Sequence, residues 1–97
     1  MRFWFGTLLA RAVKKLPQVC RLLGYLIFFW SNENNEPIHV HVCKGKPSAD
    51  ATKIWIEDVP RLEHNKSQIP AKDLNRIMQW LAANKNFVVD KWIEHFK

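Results

Sequence analysis

Carboxylates are missing from the first 30 residues, which hold Arg2, Arg11, Lys14, Lys15 and Arg21 and no Asp or Glu. The chain has 15 Lys and Arg, so removing these five leaves ten against all nine acids. The net charge of +6 therefore sits almost wholly at one end. Cysteine is scarce: Cys20 and Cys43 form no Cys-x-x-Cys, which excludes a zinc ribbon, a thioredoxin motif and a disulfide scaffold. Two such residues read as reduced, unactivated thiols of a cytoplasmic protein. The three glycines are scattered and build no phosphate-cradling loop. Long apolar runs are absent too. Leu22 to Trp30 is far shorter than the ~20 residues of a membrane helix. The run from Phe3 to Ala10 stops at Arg11, and Lys14 and Lys15 stand where a signal-peptide cleavage site needs small residues. These absences point to a soluble cytoplasmic chain with no membrane partner.

What is present is one domain's worth of core. The hydrophobic fraction is 47% and the charged fraction 25%, as in ordinary globular proteins. Five Trp and six Phe add large buried areas to a small chain. Residues 1–16 read as a short helix with Leu9, Val13 and Leu16 on one stripe, ended by Pro17. Cys20 to Trp30 reads as one strand, apolar on both faces, so a second copy or another protein is expected to cover one of them. Ser31 to Pro37 is a polar turn. Ile38 to Cys43 alternates, with Ile38, Val40 and Val42 on one face and His39, His41 and Cys43 on the other. Ala49 to Glu57 contains a third strand. Arg61 to His64 is a short edge strand.

After Lys66 the period changes. Leu74, Ile77, Met78 and Leu81 make one apolar stripe, predicting a helix over 70–84 entered at Pro70. Asn84-Lys85-Asn86 interrupts it with capping chemistry. Val89, Trp92, Ile93 and Phe96 predict a second helix to the C-terminus. The fold class expected is α+β: a three- to four-stranded antiparallel sheet with two C-terminal helices packed on one face. Residues 17–97 form the domain and 1–16 an extension.

The hairpin resembles a specific family. Leu23-Gly24-Tyr25, Phe28 to Glu33, and Glu36-Pro37-Ile38-His39-Val40-His41-Val42 resemble the bacterial domain-of-unknown-function family 4160. The likeness continues through Ala51 to Ile56, through His64-Asn65-Lys66-Ser67, and into Trp92 and Phe96. Its members are small bacterial proteins, many encoded beside a protein of domain-of-unknown-function family 2442. The resemblance therefore implies a companion protein encoded nearby and a two-gene module of toxin–antitoxin type. Members begin with Met-Pro where this chain has Leu16-Pro17, which implies a start at position 16 and a mis-assigned extension before it.

The residues that can carry chemistry are His39 and His41. At i and i+2 on a strand they share a face, about 6.6 Å apart along it. Three readings stand open. A divalent transition metal can bridge two imidazoles, although no cofactor is expected and a third ligand, such as Glu33, Glu36, Cys43 or His64, must come from folding. Acid–base cleavage of RNA suits two His near neutrality, with Lys44, Lys46 and Arg61 holding phosphate, as in a ribonuclease-type toxin. Lys53 and Lys66 are further candidate cations, and Trp30 and Trp55 candidate stacking rings. In the third reading both His are structural, pinning the hairpin or lying in a partner interface. The leading function is a component of a toxin–antitoxin-like module that works through its companion and RNA. The alternative is a non-catalytic protein-binding module, metal-bound through the same pair. A homo-oligomer is a separate expectation, from the doubly apolar first strand. Residues 1–16 supply four of the six net charges, so residues 17–97 net only +2. An RNA site therefore has to rest on a local patch beside the His pair.

Overall fold

The computed structural model describes residues 18–30 and 35–96. The helix expected in 1–16 and the loop residue Glu33 lie outside them. Five strands pair in chain order as an antiparallel meander: β1 (Gln18–Leu22), β2 (Tyr25–Phe28), β3 (His39–Lys44), β4 (Thr52–Trp55) and β5 (Arg61–His64). Helices α1 (Ala71–Ala83) and α2 (Lys85–Phe96) follow. The α+β class and the C-terminal helix pair agree with the sequence reading. The strand count does not.

The difference lies at Leu23-Gly24. The single strand read from Cys20 to Trp30 is two strands joined by a two-residue turn, with φ of 53° at Leu23 and 82° at Gly24. Positive φ at both central residues suits the twist of a tight hairpin. Glycine adopts it without cost, but leucine does not, so the dipeptide gives no turn signal in sequence. Cross-strand pairing then joins Leu22 to Tyr25 and Cys20 to Ile27, with a bulge between Gln18 and Cys20. Leu23→Asn is expected to raise stability by roughly 1 kcal/mol, the scale of the left-handed penalty it relieves. Thermal or urea unfolding of the two proteins measures it.

Tyr25, Ile27, Val40, Val42 and Ile54 face the helices and meet Ile77, Leu81, Val88 and Trp92 in the main core. The α1 stripe is as read: Ile77 and Leu81 are buried, with Leu74 and Met78 packed against the core. In α2 the stripe runs through Val88 and Trp92, and Ile93 is exposed. Asn84 ends α1 by donating both its backbone N–H and its side-chain amide to the Trp80 carbonyl, each at 2.9 Å. Val88 and Trp92 follow Leu81 by seven and eleven residues, so α2 keeps the helical spacing of α1, and Val89 and Phe96 of the expected stripe pack beside them against the core.

Tyr25 ties sheet to helix. Its hydroxyl donates to Asp73 Oδ2 at 2.7 Å, and that bond to a carboxylate holds its pKa above the ordinary phenol value. A proton held more tightly in the folded state stabilises below the unfolded pKa and is lost as pH rises through the folded one. Tyr25→Phe is therefore expected to cost about 1 kcal/mol at neutral pH. The difference should shrink above about pH 10, as the wild-type phenol ionises. Urea unfolding of both proteins across the alkaline range reads it.

Leu26, Phe28, Cys43 and Ala51 form a second buried cluster on the other side of the sheet, with Trp30 against it. β2 is thus buried on both faces, as its composition demands, within a single chain. Among the described residues no helix is long and apolar enough to cross a membrane.

Candidate functional site

β3 carries both histidines, and its register sets their neighbours. His39 pairs across the sheet with Trp55, and His41 pairs with Phe28 on one side and Lys53 on the other. Alternation places Val40 and Val42 in the helix-facing core and turns His39, His41 and Cys43 the other way. His41 meets Phe28 and Trp30 there, whereas the His39 ring, at the start of the strand, still reaches Trp92 of the helix-side core. The two imidazoles do come together: their ring centroids are 5.0 Å apart, edge to face.

They are not open groups. His39 is 0% exposed and His41 6%. The His39 ring lies 5.4 Å from Trp55 and 5.3 Å from Trp92, and His41 lies 5.6 Å from Phe28 and 6.1 Å from Trp30. His39 Nδ1 is 2.8 Å from the Pro37 carbonyl oxygen. A carbonyl only accepts, so Nδ1 carries the hydrogen and donates it. In the neutral ring the lone pair is then on Nε2, the arrangement that orients bases and metal ligands. Glu36 Oε1 stands 3.8 Å from the same Nδ1 and accepts its closer bond, at 2.7 Å, from Lys53.

The cations read as phosphate holders are dispersed. Lys44 projects to the helix side, its ammonium 5.3 Å over the Tyr25 ring, on the opposite face from the histidines. Lys46 is exposed in the β3–β4 turn. Arg61 shares the histidines' face but is taken up by carboxylates. Nη2 and Nε bond Glu57 at 2.9 and 3.2 Å, and Nη1 lies 3.9 Å from Glu63. Arg61 holds the Glu57 carboxyl below its usual range, and the Trp55 indole N–H, donating at 2.7 Å, does the same to Glu63. Lys53, a further candidate cation, is half-buried beside His41 and over the Trp55 ring at 4.5 Å. Arg61 also lies 5.7 Å from the Trp55 centroid. Side-chain cations therefore crowd the ring that a base would stack on.

Among the described residues the candidate metal ligands do not assemble either: no three His, Cys, Asp or Glu are grouped to hold an ion. Cys43 turns its thiol to the Lys46 carbonyl at 2.9 Å, and burial pushes its pKa up, as it does for Cys20. Glu33 lies outside the described residues. A cavity of about 270 Å³ opens beside Gln18, Phe29, Lys91, Glu94 and His95, none of them among the residues read as site residues.

A polar cluster that sequence reasoning passed over lies at the β5–α1 junction. Asn65 Oδ1 accepts from Thr52 Oγ1 at 2.7 Å and from the Ile69 N–H at 3.0 Å, while Nδ2 donates to the Ile69 carbonyl at 2.9 Å. Ser67 exchanges bonds with Thr52 through N–H and Oγ, and its hydroxyl lies 3.2 and 3.0 Å from the Val42 and Asp50 carbonyls. This clamp sets the entry to α1 and gives the His64-Asn65-Lys66-Ser67 string a structural purpose. The signal was available: Asn and Ser just before a helix are turn and cap residues.

No curated protein and no solved structure shows a match to the chain. The model of the family described as a domain of unknown function, DUF4160, matches residues 24–93, from the β1–β2 turn through most of α2. With its hairpin, its histidine pair and its junction clamp all inside that span, the chain belongs to the DUF4160 family.

Proposed function

We propose that this chain is a non-catalytic, protein-binding component of a bacterial two-gene module of toxin–antitoxin type, working in the cytoplasm. The observation that carries the reading is the burial of the His39–His41 pair among Trp and Phe rings. A general base must reach its substrate's proton within hydrogen-bonding distance, and a ring enclosed on this scale does not. Among the described residues the nearest cations are committed to Glu36, Glu57 and Glu63 and build no phosphate cradle beside the imidazoles. The histidines then act as the polar part of a core that fixes the hairpin, and function falls to the surface around it.

Co-expression with the protein encoded beside its gene tests the reading. The expected result is one complex of fixed stoichiometry in size-exclusion chromatography. Separate elution of the two folded proteins at micromolar concentration overturns it.

A further inference from the structure

At one end of the sheet the β1–β2 and β3–β4 turns lie side by side and gather three cations. Arg21 reaches across from β1, with both terminal nitrogens 3.4 Å from the Gly45 carbonyl oxygen. The Lys44 stem lies against Gly24, 4.0 Å from where a Cβ would stand. Lys46 follows on the exposed turn. Between them Leu23 projects from the hairpin tip, 47% exposed and at positive φ. Among the described residues no carboxylate lies within ion-pair distance of Arg21, Lys44 or Lys46. By contrast Lys53, Arg61, Lys85 and Lys91 each have one.

We propose that this corner is the docking surface for an acidic protein segment carrying an apolar side chain that covers Leu23; the proposal rests on the protein-binding reading above. Uncompensated cations steer and orient an acidic partner. A strained, exposed leucine is costly to the free protein, and contact with a partner gives it a use. RNA fits less well. Among the described residues the corner exposes no aromatic face for a base, since Tyr25 is 3% exposed and already covered by Lys44. A phosphate backbone has no complement for a leucine.

The test uses the full chain and a fluorescent peptide of alternating Glu and Leu. Its Gln counterpart and oligouridine of similar length serve as competitors, all in physiological salt. Leu23→Asn keeps the fold and is expected to weaken the Glu–Leu peptide about tenfold. Arg21→Glu and Lys44→Glu are each expected to weaken it by about tenfold as well. Arg76→Glu, on the exposed side of α1, should leave it unchanged. The proposal is overturned if the peptide fails to bind, if Leu23→Asn binds as well as wild type, or if oligouridine binds more tightly through the same cations. Failure here, with an intact complex with the neighbouring gene's product, removes this surface and leaves the protein-binding reading standing. Peptide binding without that complex leaves this surface standing and removes the neighbouring gene's product as the partner.

Discussion

Asn65→Ala is expected to destabilise the protein by about 3 kcal/mol, the cost of stranding several buried polar groups at once. Three partners depend on the Asn65 amide: the Thr52 hydroxyl and both backbone groups of Ile69. Ile69 is 4% exposed and Thr52 0%, so water does not readily replace the lost bonds. The loop they hold contains Gln68 at φ of 58°, a conformation that a non-glycine residue keeps only when its surroundings impose it. In a domain this small the melting temperature should fall by roughly 15 °C. Asn65→Asp retains the acceptor and loses the donor, so its loss should be smaller at a pH where the carboxylate is ionised. Differential scanning calorimetry of the three proteins separates the two roles. Equal melting of wild type and Asn65→Ala would mean that the clamp does not hold the junction.

The second large effect is expected at His39. His39→Ala empties a wholly buried ring site bordered by His41, Trp55 and Trp92 and leaves the Pro37 carbonyl without its donor. Large-to-small replacement in a core costs about 2–5 kcal/mol, and the lost hydrogen bond about 1 more. His39→Phe refills the volume without the donor and should recover most of the packing loss while leaving the hydrogen-bond part. Urea unfolding of the set gives the partition. A folded His39→Ala with wild-type stability would show that the ring is dispensable to the core, and with it the structural account of the pair.

Much of this was legible in the residues. Period-2 alternation put Val40 and Val42 in one layer and the histidines in the other, because a strand's side chains have no third choice. Leu74, Ile77, Met78 and Leu81 marked the buried face of α1 by spacing alone. The hairpin at Leu23-Gly24 was not legible, since its first central residue is a leucine that tertiary pairing holds at positive φ. Five strands therefore read as four at most. At the candidate site the pairing of His39 with His41 followed from i, i+2 spacing. Their enclosure did not, because Trp92 arrives from α2, more than 50 positions away, and Trp55 from the next strand. Lys44 was credited to the histidines by proximity in sequence. One residue of displacement along a strand reverses the face, and Lys44 covers Tyr25 on the other side. Arg21, distant in sequence from Lys44 and Lys46, joins them only through the register of β1, β2 and β3.

The central claim is that the His39–His41 pair holds the hairpin and does not cleave RNA. RNA integrity after incubation with the purified wild-type chain and with His41→Gln, both folded by their melting curves, tests it most directly. The account predicts intact RNA with both proteins and a lower melting temperature for the variant. RNA cut by the wild type and spared by an equally folded His41→Gln would contradict it.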